Sequence, residues 1–549
     1  MKAASTMTED LAMTEPVLSI TGLTVPLPRG ADRTNAIEGL SLSVGANEIV
    51  CIVGESGSGK SITASAVMGL LPPNLSPSAG QILLQGEDVL KVAPARLRAL
   101  RGSRMAMVFQ EPMTALNPVL KVGDQIAEML EAHSGRGGRE ARRQRVLDLL
   151  ADVHLPDPPS LVKAYPHQLS GGQRQRVMIA MALANDPALI IADEPTTALD
   201  VTTQAQILKL LKELQARRNA GILFITHDFG VVSQIADRVV VMQKGRLVEE
   251  GTTEEVLTRP RDPYTRMLIA AVPRAEPPPS RMRPPTAAPI LAVRDLTKTY
   301  GGRGLFGGGR AVTALDGVSL ALQPGETLGI VGESGSGKST LARCVARFVD
   351  PSAGHIRIGG DDIALLPARE LRPYRRRVQM VFQDPYRSLN PRRNVGQSIV
   401  EGPMNYGLSK EAAVARAIRL IDLVGLDAGA LARYPHEFSG GQRQRIAIAR
   451  ALAMEPDVLI ADEAVSALDV SVQRQVLELL EDIRARLNLS ILFITHDLRV
   501  AARLCDRLVV MLGGRIVEEG QTAALFANPR HAYTQALFAA APKLRLAEA

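Results

Sequence analysis

The sequence predicts an α/β protein that contains two copies of one domain, each built around a mainly parallel β-sheet. The nine residues VGESGSGKS at 53–61 return unchanged at 331–339. A later pair of landmarks, His227 and His496, lies 269 positions apart, and the residues around them repeat with the same spacing. Short apolar runs alternate with segments of helical periodicity, which favours parallel strands covered by helices.

The elements of the first copy can be assigned in chain order. NEIVCIVG is predicted to be a strand that leads into the glycine-rich loop, and SITASAVMGLL is the helix that follows. ALIIAD is a short apolar run, as expected for a buried parallel strand. Ile207, Leu210, Leu211 and Leu214 have helical spacing, and ILFITH is the next strand. In such a sheet, ligands bind at the carboxyl ends of the strands.

Composition supports a folded protein and excludes several classes. Of the 549 residues, 46% are hydrophobic and 22% are charged, so a packed core is expected. No uncharged apolar run reaches the ~18 residues of a membrane span, and the N-terminus lacks the apolar core of a secretion signal. The net charge of +7 permits a nucleic-acid or anionic-membrane partner, but Arg-rich helices and ordinary solubility are the simpler interpretation. Cys51, Cys344 and Cys505 are too scattered for a metal site and are expected to be reduced thiols.

Repeats and composition also predict the domain boundaries. The segment RAEPPPSRMRPPTAAPI is rich in proline, which favours a semi-extended spacer. The two copies close with the similar segments PYTRMLIAAVP and AYTQALFAAAP, and GGRGLFGGGR (301–310) is interpreted as a loop. The predicted parts are a flexible N-terminal tail at 1–15, a first domain with a C-terminal tail motif at 16–273, a Pro-rich linker at 274–290, and a second domain with its own tail motif at 291–549.

Both glycine-rich loops fit the pattern G-x-x-x-x-G-K-[ST], which binds phosphate. Glycines let backbone N–H groups converge on phosphate oxygens, and the following helix directs its N-terminal dipole at the same anion. Lys60 and Lys338 can reach the β- and γ-phosphates, while the hydroxyls of Ser61 and Ser339 can enter the Mg²⁺ sphere. The candidate nucleotide-binding residues are Gly54, Glu55, Ser56, Gly57, Ser58, Gly59, Lys60 and Ser61 in the first copy, and Gly332, Glu333, Ser334, Gly335, Ser336, Gly337, Lys338, Ser339 and Thr340 in the second.

Each copy also carries two adjacent carboxylates at the end of its apolar strand, Asp193-Glu194 and Asp462-Glu463. Such neighbours repel each other and lose hydration when buried, so a metal and a water molecule would give them a purpose. Asp193 and Asp462 are therefore candidate members of the outer sphere of Mg²⁺. Glu194 and Glu463 are candidates for polarising the attacking water.

A further motif indicates which family of nucleotide-hydrolysing proteins the chain resembles. LSGGQRQRVMIAMALA (169–184) is echoed by FSGGQRQRIAIARALA (438–453), and Ser-Gly-Gly at a predicted helix start is a second anion-binding terminus. With these motifs, nearly all of both copies resembles the ABC-type ATPase domains, which are P-loop NTPases. The resemblance implies that each domain adds an antiparallel β subdomain and a helical subdomain to its core sheet.

The remaining elements of the ABC family occur in the same order. Gln110 and Gln383 match the Q-loop, whose glutamine the resemblance places at the metal. The sequence ALD after each Asp-Glu pair matches the D-loop. His227 and His496 match the switch histidine, which bonds to the γ-phosphate and holds the attacking water in place.

The resemblance also explains why one chain holds two loops. ABC domains pair head to tail, and each ATP on the P-loop of one copy is closed by the Ser-Gly-Gly helix of the other. One site would combine Lys60, Gln110, Glu194 and His227 with Ser439, Gly440, Gly441 and Gln442. The other would combine Lys338, Gln383, Glu463 and His496 with Ser170, Gly171, Gly172 and Gln173. Fusion makes this pairing intramolecular.

Two departures from the family pattern distinguish the copies. Tyr300 fits the aromatic residue that stacks on adenine, whereas the first copy offers only Leu27. Ala464 replaces the proline that follows the Asp-Glu pair in the first copy. Both sites keep the glutamate and the histidine, so we expect two hydrolysis-competent sites whose affinities can differ.

The surroundings of the Q-loops and the tail motifs resemble ATPases of the peptide/nickel importer group, and the fused pair most resembles importers of oligopeptides, glutathione or peptide-like compounds. This implies ATP and Mg²⁺ as cofactors, two integral-membrane permease subunits, an external substrate-binding protein, and a peripheral place at the cytoplasmic face of the bacterial inner membrane. No iron–sulfur cluster is expected, because the tail lacks the cysteine cluster of some relatives.

Other classes of ATPase share some of these motifs. An importer of another solute, a nickel chelate or a sugar, remains an alternative, although fused sugar-importer ATPases commonly have an eroded second P-loop and lack these tails. A tandem ATPase acting on ribosomes would need a long charged helical linker, and a DNA-repair ATPase would need zinc-type cysteine pairs. No nucleic-acid partner is expected, because basic and aromatic residues do not interleave. The transported solute is not encoded in these motifs.

Overall fold

The computed structural model describes residues 15–111, 115–134, 138–197, 199–273, 275–277, 288–301, 311–466 and 468–541. Within these ranges the chain divides into two compact units, the first containing 15–197 and 206–269 and the second 199–205 and 270–541. No helix in the described ranges is long and apolar enough to cross a membrane. The predicted N-terminal tail, most of the predicted linker and most of the loop at 301–310 lie outside the described residues.

In its described residues, the first unit contains ten strands and the helices that connect them. The strands are β1 (Leu18–Pro26), β2 (Asn35–Val44), β3 (Ile49–Val53), β4 (Ala79–Leu84), β5 (Glu87–Asp88), β6 (Met105–Val108), β7 (Leu189–Asp193), β8 (Gly221–Ile225), β9 (Arg238–Gln243) and β10 (Arg246–Thr252). The helices are α1 (Lys60–Val67), α2 (Pro94–Leu100), α3 (Val122–Ser134), α4 (Arg139–Asp152), α5 (Pro158–Leu161), α6 (Gly171–Ala182), α7 (Val201–Arg218), α8 (Phe229–Ile235), α9 (Thr253–Thr258) and α10 (Pro263–Ala271). The division between the units falls within α7.

Two sheets organise the first unit. The core sheet has the order β10-β9-β3-β8-β7-β6, and every neighbouring pair is parallel except β9 with β10. All residues of β3, β7 and β8 are buried, which explains their continuous apolar sequences. The second sheet, β2-β1-β4-β5, is antiparallel, and its buried side chains share one hydrophobic cluster with the core sheet and α1.

The second unit repeats this set of elements. Its strands are β11 (Leu291–Tyr300), β12 (Val312–Leu322), β13 (Thr327–Val331), β14 (Ala353–Ile358), β15 (Asp361–Asp362), β16 (Val378–Val381), β17 (Val458–Asp462), β18 (Ser490–Ile494), β19 (Arg507–Leu512) and β20 (Arg515–Gln521). Its helices are α11 (Lys338–Val345), α12 (Arg372–Arg377), α13 (Pro385–Ser388), α14 (Val395–Asn405), α15 (Lys410–Leu423), α16 (Gly440–Leu452), α17 (Val470–Leu487), α18 (Leu498–Leu504), α19 (Thr522–Ala527) and α20 (Ala532–Ala540).

The sheets of the second unit have the same topology as those of the first. The orders are β16-β17-β18-β13-β19-β20 and β12-β11-β14-β15. In both units a mainly helical stretch lies between the second and third parallel strands of the core in chain order, between β6 and β7 in the first unit and between β16 and β17 in the second. The predicted combination of a mainly parallel core sheet, an antiparallel β subdomain and a helical subdomain is therefore confirmed in each unit.

Replacement of Phe224 by alanine tests the packing of the core sheet. Phe224 lies on β8 with no exposed surface, between the small residues Cys51 on β3 and Ala192 on β7. We expect the free energy of unfolding of the first unit to fall by about 3–5 kcal/mol, measured by chemical denaturation. Val119→Ala is the control in the same unit, because Val119 is 76% exposed and its replacement should cost less than about 1 kcal/mol. Equal losses in the two variants would contradict this account of the core.

Candidate functional site

The glycine-rich loop of the first unit wraps around the ammonium group of Lys60. The loop connects β3 to α1, and Lys60 Nζ donates hydrogen bonds to the carbonyl oxygens of Gly54 at 2.7 Å and Glu55 at 2.9 Å. Gly54 has a φ of 152°, and a Cβ atom there would lie 2.2 Å from the carbonyl oxygen of Met242 on β9. Glycine is therefore required for the loop to leave β3 beside β9.

The loop of the second unit has the same geometry. Lys338 Nζ donates to the carbonyl oxygens of Gly332 at 2.7 Å and Glu333 at 2.8 Å. Burial lowers the pKa of Lys338, while nearby carboxylates, Glu463 foremost, oppose that change. Both lysines are almost fully buried, so each loop presents a fixed positive charge within a cradle of backbone groups.

The serine after each lysine contacts the aspartate at the end of the neighbouring acidic strand. Ser61 Oγ donates to Asp193 Oδ1 at 3.2 Å, and Ser339 Oγ donates to Asp462 Oδ1 at 3.2 Å. Burial raises the pKa of Asp193, and the charge of Glu194 adds to the rise although the serine hydrogen bond opposes it. Burial likewise raises the pKa of Asp462. These two oxygen pairs are the places where the sequence predicts Mg²⁺.

The backbone separates each glutamate from the aspartate before it. Glu194 has a φ of 46° and Glu463 a φ of 49°, in the left-handed region that residues other than glycine seldom adopt. The N–H of Glu194 donates to the carbonyl of Ile225 at the end of β8, and Glu463 bonds in the same way to Ile494. The turn sends the two carboxylates of each pair to different partners, which reduces their repulsion.

Glu194 lies at the centre of a polar network. Gln110 Nε2 donates to its carboxylate at 2.9 Å and Thr197 Oγ1 at 3.0 Å, while His227 Nδ1 lies 3.1 Å from Glu194 Oε1. Burial alone would raise the pKa of Glu194, but the hydrogen bond and charge of His227, together with Thr197, lower the pKa to about 2. The group is therefore an ionised carboxylate, as a residue that polarises water needs to be.

The second network differs from the first at one position. Gln383 Nε2 donates to Glu463 Oε2 at 2.7 Å, and His496 Nδ1 lies 3.3 Å from Glu463 Oε1. Ser466, which stands where the first copy has Thr197, instead donates its hydroxyl to the backbone carbonyl of Glu463 at 3.0 Å. Burial opposes a fall in the pKa of Glu463, but His496 lowers it, and the same ion pair raises the pKa of His496 against the effect of burial.

The Ser-Gly-Gly segments begin helices, as the sequence predicts. Ser170 caps α6 by accepting from the N–H of Gln173 at 3.2 Å, and the Gln173 side chain accepts from the N–H of Ser170 at 2.9 Å. Ser439 and Gln442 form the same capping box at α16. The hydrogen bonds recorded for the Ser170 and Ser439 hydroxyls thus stay within their own helix ends, and a role in closing a nucleotide stays a prediction.

Tyr300 ends β11 and is 41% exposed. The Nζ atom of Lys298 lies 5.0 Å from the centre of its ring, a cation–π geometry. Leu27, which the first copy offers instead, packs against the hydrophobic cluster of its unit. The proposed stacking of adenine on Tyr300 therefore stays a prediction.

Sequence reasoning did not single out Tyr264 and Tyr533 as part of the phosphate-binding loops. The N–H of Glu55 donates to the hydroxyl of Tyr264 at 3.1 Å, and the N–H of Glu333 donates to Tyr533 at 2.9 Å. The repeated tail segments contain both tyrosines, so the repeat itself was the available signal.

Comparison with known families decides the class. The sequence profile described as "ABC transporter" matches residues 37–197 and 315–466, more than half of the chain. The chain belongs to the ABC transporter ATPases. A second profile, "Oligopeptide/dipeptide transporter, C-terminal region", matches 248–301 and 517–549.

Several full-length relatives support this assignment of the ABC ATPase. This chain is 49% identical over 544 residues to the peptidoglycan transport ATP-binding protein YejF of Agrobacterium fabrum, and the alignment covers 97% of this chain and 98% of the relative. It is 47% identical over 560 residues to the glutathione import ATP-binding protein GsiA of Salmonella typhimurium, covering 96% of this chain and 89% of the relative. The GsiA protein of Escherichia coli O157:H7 matches at 47% identity over 561 residues, with the same coverage.

Replacement of Glu194 or Glu463 by glutamine tests the predicted role of these two carboxylates in polarising water. Glutamine keeps the size of the side chain but removes its charge and basicity. We expect each single variant to lose at least half of the steady-state ATPase activity. In the double variant this activity should fall about 100-fold or more. Phosphate release is the measurement, and the exposed Glu254→Gln serves as the control. Full activity in either single variant would show that the two sites are not equally needed.

Proposed function

We propose that this ABC ATPase is the ATP-hydrolysing subunit of a bacterial importer for peptides or peptide-like compounds, bound peripherally at the cytoplasmic face of the inner membrane. The observation that carries the proposal is that one chain contains two matches to the ABC transporter family together with two matches to the oligopeptide/dipeptide transporter C-terminal region. Relatives that align over nearly their whole length are named for peptidoglycan transport and glutathione import. Two permease subunits and an external substrate-binding protein would complete the system.

Mg²⁺ is the metal that suits the oxygen donors beside each P-loop. A serine hydroxyl lies 3.2 Å from an aspartate oxygen in both units, and hydroxyl, carboxylate and amide oxygens are the ligands that Mg²⁺ prefers. Burial raises the pKa of each aspartate, so a divalent cation would compensate a charge that is costly to bury. When bound with ATP, the ion would neutralise charge on the phosphates. The residues that would hold or orient it are Ser61, Gln110, Asp193, Ser339, Gln383 and Asp462.

We further propose that the two ATP sites are shared between the copies, as in the family. Each P-loop network supplies lysine, glutamate and histidine from one unit, and the N–H groups at the start of a Ser-Gly-Gly helix could complete it from the other. The first N–H groups of a helix have no acceptor inside the helix, which suits them to a γ-phosphate. In this scheme Lys60 acts with Ser439, and Lys338 acts with Ser170.

Paired substitutions test which signature helix serves which P-loop. Lys60→Ala with Ser439→Arg should damage one shared site twice and leave the other intact, so the chain should still bind one ATP tightly. Lys60→Ala with Ser170→Arg should damage both sites and abolish tight binding. Nucleotide retained per chain after rapid filtration is the measurement. The two double variants carry the same kinds of change, so each is the control for the other, and equal retention would refute the shared sites.

A groove beside the first Q-loop supports the proposed contact with a permease. A cavity of about 750 Å³ lies next to Gln110 and is lined by Met107, Phe109, Met129 and Met181, among others. Flexible methionine side chains adapt to apolar partners, and a short amphipathic helix is the partner that such a groove accommodates. We assign this groove to a cytoplasmic helix of one permease subunit.

The corresponding groove of the second unit is lined by arginine side chains where the first is lined by methionines. A cavity of about 940 Å³ there is lined by Arg369, Arg372, Arg376 and Tyr406, among others. Tyr406 and Arg376 lie 273 positions after His133 and Ser103 of the first groove, the same spacing that separates the two Q-loop glutamines. A partner helix with acidic residues would suit this surface. The difference favours two non-identical permease subunits.

Purification of the tagged chain with its membrane fraction tests the importer proposal. Two integral-membrane subunits should co-purify, and the complex in lipid should show ATPase activity stimulated by a substrate-binding protein loaded with a peptide or glutathione. Met129→Asp places a charge in the apolar groove and should reduce recovery of one permease at least several-fold. Leu487→Asp, at a residue 51% exposed on the end of α17, is the control. Recovery of ribosomes or DNA, or stimulation by a sugar or a nickel chelate only, would contradict the proposal.

A further inference from the structure

The C-terminal tail motif of each copy reaches the phosphate-binding loop through one tyrosine hydroxyl. In the first unit the N–H of Glu55 donates to Tyr264 Oη at 3.1 Å, and that hydroxyl in turn donates to the Glu55 carboxylate at 3.3 Å. In the second unit the N–H of Glu333 donates to Tyr533 Oη at 2.9 Å. Tyr264 is only 7% exposed, so the contact belongs to the packed interior of its unit.

The tyrosine and the loop lysine bond to neighbouring peptide groups, on the two sides of one loop residue. Glu55 accepts a hydrogen bond at its carbonyl from Lys60 Nζ at 2.9 Å and from the N–H of Ser58 at 3.1 Å. Its N–H, on the other side of the same residue, bonds to the tyrosine. Rotation of Glu55 would therefore break contacts to the lysine, to the loop and to the tail helix together.

A glutamate, buried in the first unit and half-buried in the second, fixes the start of the tail helix in each unit. Glu249 on β10 accepts from the N–H groups of Arg261 at 2.7 Å and Asp262 at 3.1 Å, immediately before α10. Asp262 then accepts from the N–H of Tyr264 at 2.7 Å. Because β10 pairs with β9, and β9 with β3, the tail helix is tied to the strand that enters the P-loop.

The second unit builds the same connection with partly different residues. Glu518 on β20 accepts from the N–H groups of Arg530 at 2.8 Å and His531 at 3.1 Å. His531 replaces the aspartate cap and accepts from the N–H of Tyr533 at 3.2 Å. The glutamate and the tyrosine are kept while the cap changes, so the link between tail and loop is the shared feature. Burial raises the pKa of Tyr533 to about 12, which keeps its hydroxyl protonated.

We propose that Tyr264 and Tyr533 are positioning residues that hold each phosphate-binding loop in the conformation that binds ATP, and that this is a role of the C-terminal region in both copies. In both units the hydroxyl accepts a hydrogen bond from the backbone of the loop. Its loss should therefore weaken nucleotide binding more than it slows the chemical step. The glutamates Glu249 and Glu518 act one step further away, by placing the helix that carries the tyrosine.

Tyrosine-to-phenylalanine variants of the full chain test this proposal, because they remove only the hydroxyl. For Tyr264→Phe with Tyr533→Phe we expect the KM for ATP and the Kd measured by calorimetry to rise about fivefold to tenfold, the effect of losing roughly one hydrogen bond per site. The kcat should stay within about twofold. Single variants should each affect one class of site. Glu249→Gln with Glu518→Gln should move the KM in the same direction by a smaller factor.

Tyr374→Phe is the matched control, because it also removes only a hydroxyl. Tyr374 lies on α12, outside the P-loop, and its ring packs against the hydrophobic cluster of the second unit. It should leave the KM for ATP unchanged, and the Tm of all variants should be compared. The proposal is overturned if the double phenylalanine variant keeps the wild-type KM, if kcat alone falls, or if the control raises the KM equally. ATP binding is measured without permease or solute, so a failure here is distinct from a failure of the importer proposal.

Discussion

The parallel pairing of three buried strands is the constraint on which both sites depend. In the first unit β8 lies between β3 and β7, with Ile52 paired to Ile225 and Asp193 paired to the same Ile225 on the other side. Because the strands run in one direction, their carboxyl ends meet at one edge of the sheet. That edge therefore receives the P-loop after β3, the acidic pair after β7 and the histidine after β8. The second unit obtains the same arrangement from β13, β17 and β18.

Convergence at a buried edge creates an electrostatic difficulty that the backbone resolves locally. Two adjacent carboxylates and a lysine end within one small region, where burial disfavours each charge. The left-handed turn at Glu194 directs one carboxylate towards histidine and glutamine, and leaves Asp193 with the serine of the P-loop. The pKa values of the two groups consequently move in opposite directions. The two carboxylates thus have different surroundings, which suits the predicted contact of one with a cation and the predicted action of the other on water, although they are neighbours in sequence.

The sequence was sufficient for those features that depend on local pattern. The apolar runs predicted β3, β7 and β8, the spacing of the glycines predicted the loops, and Ser-Gly-Gly predicted helix starts; each lies where it was expected. The φ of Glu194 could not be predicted, because a left-handed glutamate has no sequence signature comparable to glycine. The acceptor of the Ser466 hydroxyl could not be predicted either. Ser466 donates to a backbone carbonyl, whereas the threonine at the equivalent position of the first copy donates to the carboxylate. The domain boundaries, the adenine contact of Tyr300 and the assignment of roles to site residues stay predictions.

The repeat drew attention to the tail tyrosines, but the sequence could not show that they contact the P-loop, for a different reason. Tyr264 and Glu55 are separated by 209 positions, and the hydrogen bond joins a hydroxyl to a backbone N–H that every residue except proline possesses. No residue type at position 55 could therefore reveal it. The contact recurs in the second unit, although the cap there is a histidine and not an aspartate. This recurrence supports a role of the tail helix in positioning the loop. We therefore infer that the C-terminal region supports the nucleotide site. The P-loop backbone is bonded by its own lysine on the inner side and by the tail tyrosine on the outer side.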